Sequence, residues 1–300
     1  MKKNGFGYLF LLNTVILFST YEVVSKIIID RINPFQINFL RFFLAGLFLF
    51  LCSVIKGDIK VEKKHFKTFV ILGILNVIFS MNLFQLSLSM ENAKAALVAV
   101  IFSSNPIFVT LFSAIIDKEK IHTYKKVGLI LGITGIAIMS FNELSVDALN
   151  VLSPLLAMFS AVLYGLYTVI GRKVSYKIGS LKMNSYSFLI GSVILLPFLI
   201  FFNIPVFDID STITAHVIYL SILVTGVGYL TYFIGLSIAG ACKGSMVFFL
   251  KPVLASIFAV ILLKEHAGIY FILGTILVVL GVIIIFYWEA FKHWIKNIKF

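Results

Sequence analysis

Phe248-Phe249-Leu250-Lys251-Pro252-Val253-Leu254-Ala255 sets a cation beside a helix-breaking residue, inside an apolar run that ends only at Lys264-Glu265-His266. A lysine at bilayer depth costs roughly 2.5–3.5 kcal/mol on insertion scales. Pro252 lacks an N–H and so frees the carbonyl four residues earlier, that of Phe248. Two readings are open. One is a tolerated kink with a lysine reaching toward the interface; the other is a small-molecule site built at a broken helix.

The surrounding chain decides what kind of helix this is. Of its 300 residues 60% are hydrophobic and only 13% charged, with a mean hydropathy of +1.06. Its apolar runs approach the roughly 20 residues that cross a hydrocarbon core as a helix. The composition predicts an all-α integral membrane protein. Ten spans fit, at 6–29, 35–55, 67–89, 94–116, 124–142, 151–171, 184–203, 214–238, 242–263 and 267–288. The connections are short, and none is large enough for a soluble catalytic domain. Met1-Lys2-Lys3 and the apolar run behind it reach Ile29 without a small-residue cleavage site, so they read as a first span rather than a signal peptide. Cys52 and Cys242 fall near span ends and are expected as free thiols.

The net charge of +12 is placed as a record of orientation, not as a nucleic-acid footprint. With the N-terminus inside, 19 Lys and Arg residues fall on the inner side and only Arg31, Lys94 and Lys264 on the outer. Lys26, Arg41 and Lys251 lie within spans. The expected location is the cell membrane, multi-pass, with both termini cytoplasmic.

The chain also repeats itself at an offset of 146 residues. Pro106 matches Pro252, Lys118-Glu119 matches Lys264-Glu265, Gly128 matches Gly274, and Gly135 matches Gly281. Tyr21 falls on Tyr167 and Lys26 on Arg172. Five helices per half is an odd number, so the second half enters the membrane in the opposite sense. The expectation is two inverted repeats, 1–146 and 147–300, with a site between them.

Ser104-Asn105-Pro106 through Lys118-Glu119 with Gly128 and Gly135, and Lys251-Pro252 through Lys264-Glu265 with Gly274 and Gly281, resemble the EamA-type repeat of the drug/metabolite transporter superfamily. The resemblance covers nearly the whole chain. It implies ten helices and export or exchange of a small polar metabolite, such as an amino acid or amine. The expected mechanism is alternating access, driven by a coupling proton or a counter-substrate. A channel or a lipid flippase is the alternative.

Positions shared by the halves are expected to build the scaffold, and polar positions that differ are where recognition can reside. Glu22 stands opposite Thr168, and Lys251 opposite Asn105. Glu22 is the one acidic residue well inside a span; it can bind an amine or carry a proton, or it can simply pair with Lys26 at i+4. If Glu22 and Lys251 line one cavity, the two charges suit a zwitterion. Asn105 is the third polar candidate, and Tyr21, Tyr167 and Tyr232 are candidate stacking surfaces. Pro106 and Pro252 mark helix breaks. Lys26, Arg172, Glu119 and Glu265 are expected as gating or structural charges, and the glycines as packing. Asn76, Asn82 and Gln85 are expected mainly as interhelical hydrogen bonds.

Enzyme chemistry finds no support. There is no GxxxxGK[ST] loop and no HExxH, and the aspartates lie at edges or in loops. No metal or other cofactor is expected. The expected partners are the substrate and the bilayer.

Overall fold

The structure, a computed structural model, describes residues 2–90, 93, 95–139, 152–263 and 269–298. Among them every regular element is a helix. α1 (Lys2–Ser19) and α2 (Tyr21–Ile28) follow one another with a break at Thr20, and α3 is Pro34–Ile55. α4 (Phe66–Gly73), a π-helical stretch at Ile74–Ser80 and α5 (Met81–Ser89) form the next rod. α6 (Ala95–Phe102), α7 (Asn105–Ile116) and α8 (Thr123–Met139) complete the first half.

The second half opens with α9 (Leu152–Ile178) and α10 (Ser180–Phe201). α11 (Thr214–Ile218) then runs through a π-helical stretch at Tyr219–Val227 into α12 (Gly228–Ala239). α13 (Ala241–Ser245), a 3₁₀ turn at Met246–Phe249 and α14 (Leu250–Leu263) follow, and α15 is Ile269–Ile298. Seven helical stretches among the described residues are long and apolar enough to cross a membrane, from Phe6–Arg31 to Thr214–Ala239.

Burial follows the logic of a lipid solvent. Ile115, Phe159, Val193, Ile200 and Phe201 point outward, while Glu22, Asn38, Arg41, Asn76 and Lys251 are buried. A water-soluble domain would reverse that arrangement.

Each half packs against the other. α8 lies along α15, α3 along α10, α1 along α12, and α9 against α5 and α7. Glycines bring α8 and α15 close: a Cβ on Gly135 would come 2.6 Å from the Gly274 carbonyl oxygen, and one on Gly281 would come 2.8 Å from that of Gly128. On the neighbouring seams the contact is polar. Ser80 and Ser160 donate to each other's carbonyls, as do Ser87 and Ser153, and Thr14 lies 2.9 Å from Thr231. Small residues and hydroxyls are what let helices associate where lipid provides no hydrophobic drive.

Both prolines start helices rather than interrupt them. Pro106 is in the first turn of α7, after a turn at 103–104, and Pro252 is in the first turn of α14, after the 3₁₀ turn. In a first turn the missing N–H would have had no helical partner anyway. Lys251 therefore stands at the entry of α14 and not near the middle of one continuous span. The two π-helical stretches carried no sequence signal, because each hydrogen-bonding shift is made by the backbone. They fall on matching segments of the 146-residue offset, as 74–80 maps onto 220–226.

Candidate functional site

α2 is amphipathic: Tyr21, Glu22 and Ser25 share its buried side, while Lys26 and Ile27 face out. The break at Thr20, whose hydroxyl bonds the Leu17 carbonyl at 2.7 Å, aims that side at α14. Ser19 Oγ reaches the Lys251 carbonyl at 3.3 Å and ties the two helix starts together. Lys251 Nζ donates to Glu22 Oε1, forming an ion pair whose side chains are 3% and 2% exposed. Phe84 and Phe102 present ring faces to Nζ at 5.3 and 5.1 Å. The local pairing of Glu22 with Lys26 is thus overturned: Lys26 is exposed and donates to the Ala93 carbonyl at 3.1 Å.

Beside the pair is a cavity of about 20 Å³, walled by Lys251, Arg41 and a set of rings that includes Tyr21, Phe84, Tyr164 and Tyr229. That is room for a water and far too little for a metabolite. Arg41 on α3 donates from Nη1 to Tyr21 Oη at 2.5 Å and from Nε to Thr225 Oγ1 at 3.1 Å, and Tyr21 Oη donates onward to Gln85 Oε1. The tyrosine hydroxyl is thereby fixed between a cation and an amide.

Other sequence candidates stand elsewhere. Asn105 is off the cavity wall; its Nδ2 donates at 2.9 Å to the Phe102 carbonyl, the group that Pro106 leaves without a donor. In this structure the amide repairs the helix, and its Oδ1 is buried without a hydrogen-bond partner. Tyr167 and Tyr232 lie behind the wall, Tyr232 stacked on Tyr164 with centroids 6.3 Å apart and Tyr167 edge-on to Phe233 at 5.4 Å. Tyr164 and Tyr229 occupy the wall in their place. Asn82, Gln85 and Asn76 do bond between helices, to Asn38, Tyr21 and Tyr229.

The main omission is Arg41. It was visible as a cation inside a span, and it stands opposite Ser187 in the repeat, so the rule that singled out Glu22 and Lys251 would have found it.

A second charged group lies where α7 ends. Glu119 accepts from Ser113 and from Lys125, both at 2.7 Å, and not from its neighbour Lys118. Asp117 pairs with Lys173 at 2.6 Å and Arg172 at 3.8 Å, joining α7 to α9. Glu265 lies outside the described residues. Burial pushes the Glu119 carboxyl up, but the Lys125 and Ser113 hydrogen bonds and the nearby positive charge outweigh it and hold it below its ordinary 4.5. A depressed carboxyl adds stability that is complete above its unfolded value and is lost as pH falls through the folded one. The unfolding temperature of the native protein should therefore exceed that of Glu119→Gln at pH 7, and the gap should narrow toward pH 4. A gap independent of pH would show that the ion pair adds nothing.

The EamA-like transporter family matches this chain twice, over residues 5–141 and 152–287. The chain belongs to that family. An uncharacterized transporter of Clostridium kluyveri is 32% identical over 300 residues, covering 95% of this chain and 93% of its own. The uncharacterized transporter YoaV of Bacillus subtilis is 28% identical over 263 residues, 87% and 89% of the two chains. A protein of known crystal structure shares the fold with a TM-score of 0.77 at 18% identity, over 93% of this chain and 95% of that one. Like its EamA relatives, the protein is a multi-pass membrane transporter rather than an enzyme by family.

Proposed function

We propose that the protein is a secondary active transporter, an exporter or exchanger, of a small polar metabolite of the amino-acid or amine class. The reading rests on one observation: Glu22 of the first repeat and Lys251 of the second form a buried ion pair across the interface, beside a cavity bounded by both repeats. Intramembrane charge is expensive and is retained where it binds or couples. The cavity is too small for cargo as it stands, so entry requires the repeats to separate and the pair to open. Alternating access meets that requirement, with Glu22 and Lys251 offering opposite charges to the cargo, or Glu22 carrying a coupling proton, or a counter-substrate resetting the pair.

The proposal includes ten spans arranged as two inverted halves, 1–146 and 147–300, in the cell membrane with both termini cytoplasmic. Supporting the inversion, glycines that match across the halves cross over at α8–α15: Gly128 meets Gly281 and Gly135 meets Gly274. Residue number rises along one helix as it falls along the other, as an axis in the membrane plane demands and an axis along its normal does not. The excess of inner Lys and Arg supports the orientation.

The test is a thermal-shift screen of the purified protein against amino acids, amines, nucleosides and sugars, followed by counterflow of the hits in proteoliposomes. Saturable, exchangeable flux is expected. Single-channel conductance without exchange would replace the carrier with a pore.

A further inference from the structure

The cavity holds more positive charge than the chain neutralises. Lys251 has Glu22. Arg41, 2% exposed on the same wall, makes direct contact only with neutral groups: the Thr225 and Tyr21 hydroxyls, the Tyr21 ring at 4.1 Å and the Phe42 ring at 5.4 Å. Among the described residues no carboxylate lies within ion-pair distance of it. Two cations against one carboxylate leave one positive charge unmatched on the wall. Taking a guanidinium out of water without a counter-ion is costly, and hydroxyls and ring faces recover only part of that cost. A scaffold contact to Thr225 and Tyr21 would not require a charge at all.

We infer that the cargo supplies the missing negative charge: it is an organic monoanion with one carboxylate and a flat apolar body. The planar fork of Arg41 suits a carboxylate, which it can bind through two parallel hydrogen bonds. The body lies against the aromatic wall of Phe84, Tyr164 and Tyr229. The inference depends on reading this cavity as the cargo site, and within that reading it moves the cargo from the amino-acid or amine class to a carboxylate without an amine. A monoanion brings the site to neutrality, a zwitterion leaves it at one positive charge, and an amine raises it further.

Three probes with the same phenyl body separate these cases: phenylpyruvate, phenylalanine and 2-phenylethylamine. Each is measured by thermal shift on the full-length protein in detergent and by competition in proteoliposome counterflow. Phenylpyruvate should bind about tenfold or more tighter than phenylalanine, with the amine weakest. Arg41→Gln should abolish the advantage of the anion and Arg41→Lys should restore part of it, since charge returns without the fork. Tighter binding of the zwitterion or amine, equal binding of all three, or an unchanged ranking in Arg41→Gln would overturn the inference. If Arg41→Gln fails to insert, the ranking in the native protein decides alone. Should none of the three bind while amines, sugars or nucleosides do, the anionic cargo is refuted and the cargo site survives. Should nothing in the broad screen be exchanged, the transporter reading itself falls.

Discussion

Lys251→Ala should leave the protein about 3–5 kcal/mol less stable and reduce counterflow at least tenfold. The stability loss is that of breaking a buried ion pair from one side, which strands the other charge. Glu22, 2% exposed and with Oε2 accepting no hydrogen bond, would lose the one cation hydrogen-bonded to it. Glu22→Gln should have a related effect through Lys251, whose other close neighbours are the Phe84 and Phe102 rings. The double variant Glu22→Gln/Lys251→Met removes both charges, so it should be more stable than the sum of the single losses implies. That coupling, read from unfolding temperatures across the four proteins, measures the pair. Transport should stay low in the double variant, because neutral side chains restore packing but offer nothing to a charged cargo. Full counterflow in the double variant would remove the pair from the transport mechanism and leave it a structural contact.

Gly135→Leu should lower stability by about 1–3 kcal/mol or prevent assembly of α8 on α15 altogether. The collision is with backbone, the Gly274 carbonyl oxygen 2.6 Å from the new Cβ, and with Val278, so no side-chain rotation relieves it. Helices in lipid hold together by close van der Waals contact, and moving them apart by the width of a side chain forfeits it. Gly57, with φ of +67 and nothing within 4 Å of where a Cβ would stand, is the control for glycine replacement without a clash. Gly57→Asn should therefore be tolerated, since asparagine accepts that backbone conformation better than most residues. Equal melting temperatures for Gly135→Leu and the native protein would mean that the α8–α15 crossing does not form as described.

Much of the scaffold was legible in the residues themselves. Apolar runs of spanning length, basic residues gathered on alternate connections, and Pro106, Pro252 and four glycines at one offset are all properties of order along the chain. They need no partner to be recognised, because the bilayer imposes them segment by segment. The breaks before Pro106 and Pro252 belong here too, for a residue without an N–H disfavours a helix interior, although Pro197 is accommodated inside α10.

The site is different in kind. Glu22 and Lys251 each stood out as costly intramembrane charges, but Lys26 offered Glu22 an equally good partner along the chain. Only the turn at Thr20 and the packing of α2 on α14 chose between a residue 4 positions away and one 229 positions away. Tyr164 and Tyr229 stand on the wall where Tyr167 and Tyr232 were expected, a choice between residues one turn apart that depends on the packing of neighbouring helices. Arg41 became part of the site only once α3 was placed against that stretch. By itself, then, the sequence determined a repeated, helical, membrane-embedded chain with two anomalous charges, because those features act locally against lipid. Which charges meet, and the positive surplus they leave at the cavity, only the tertiary structure decided, because burial and pairing depend on neighbours far away along the chain.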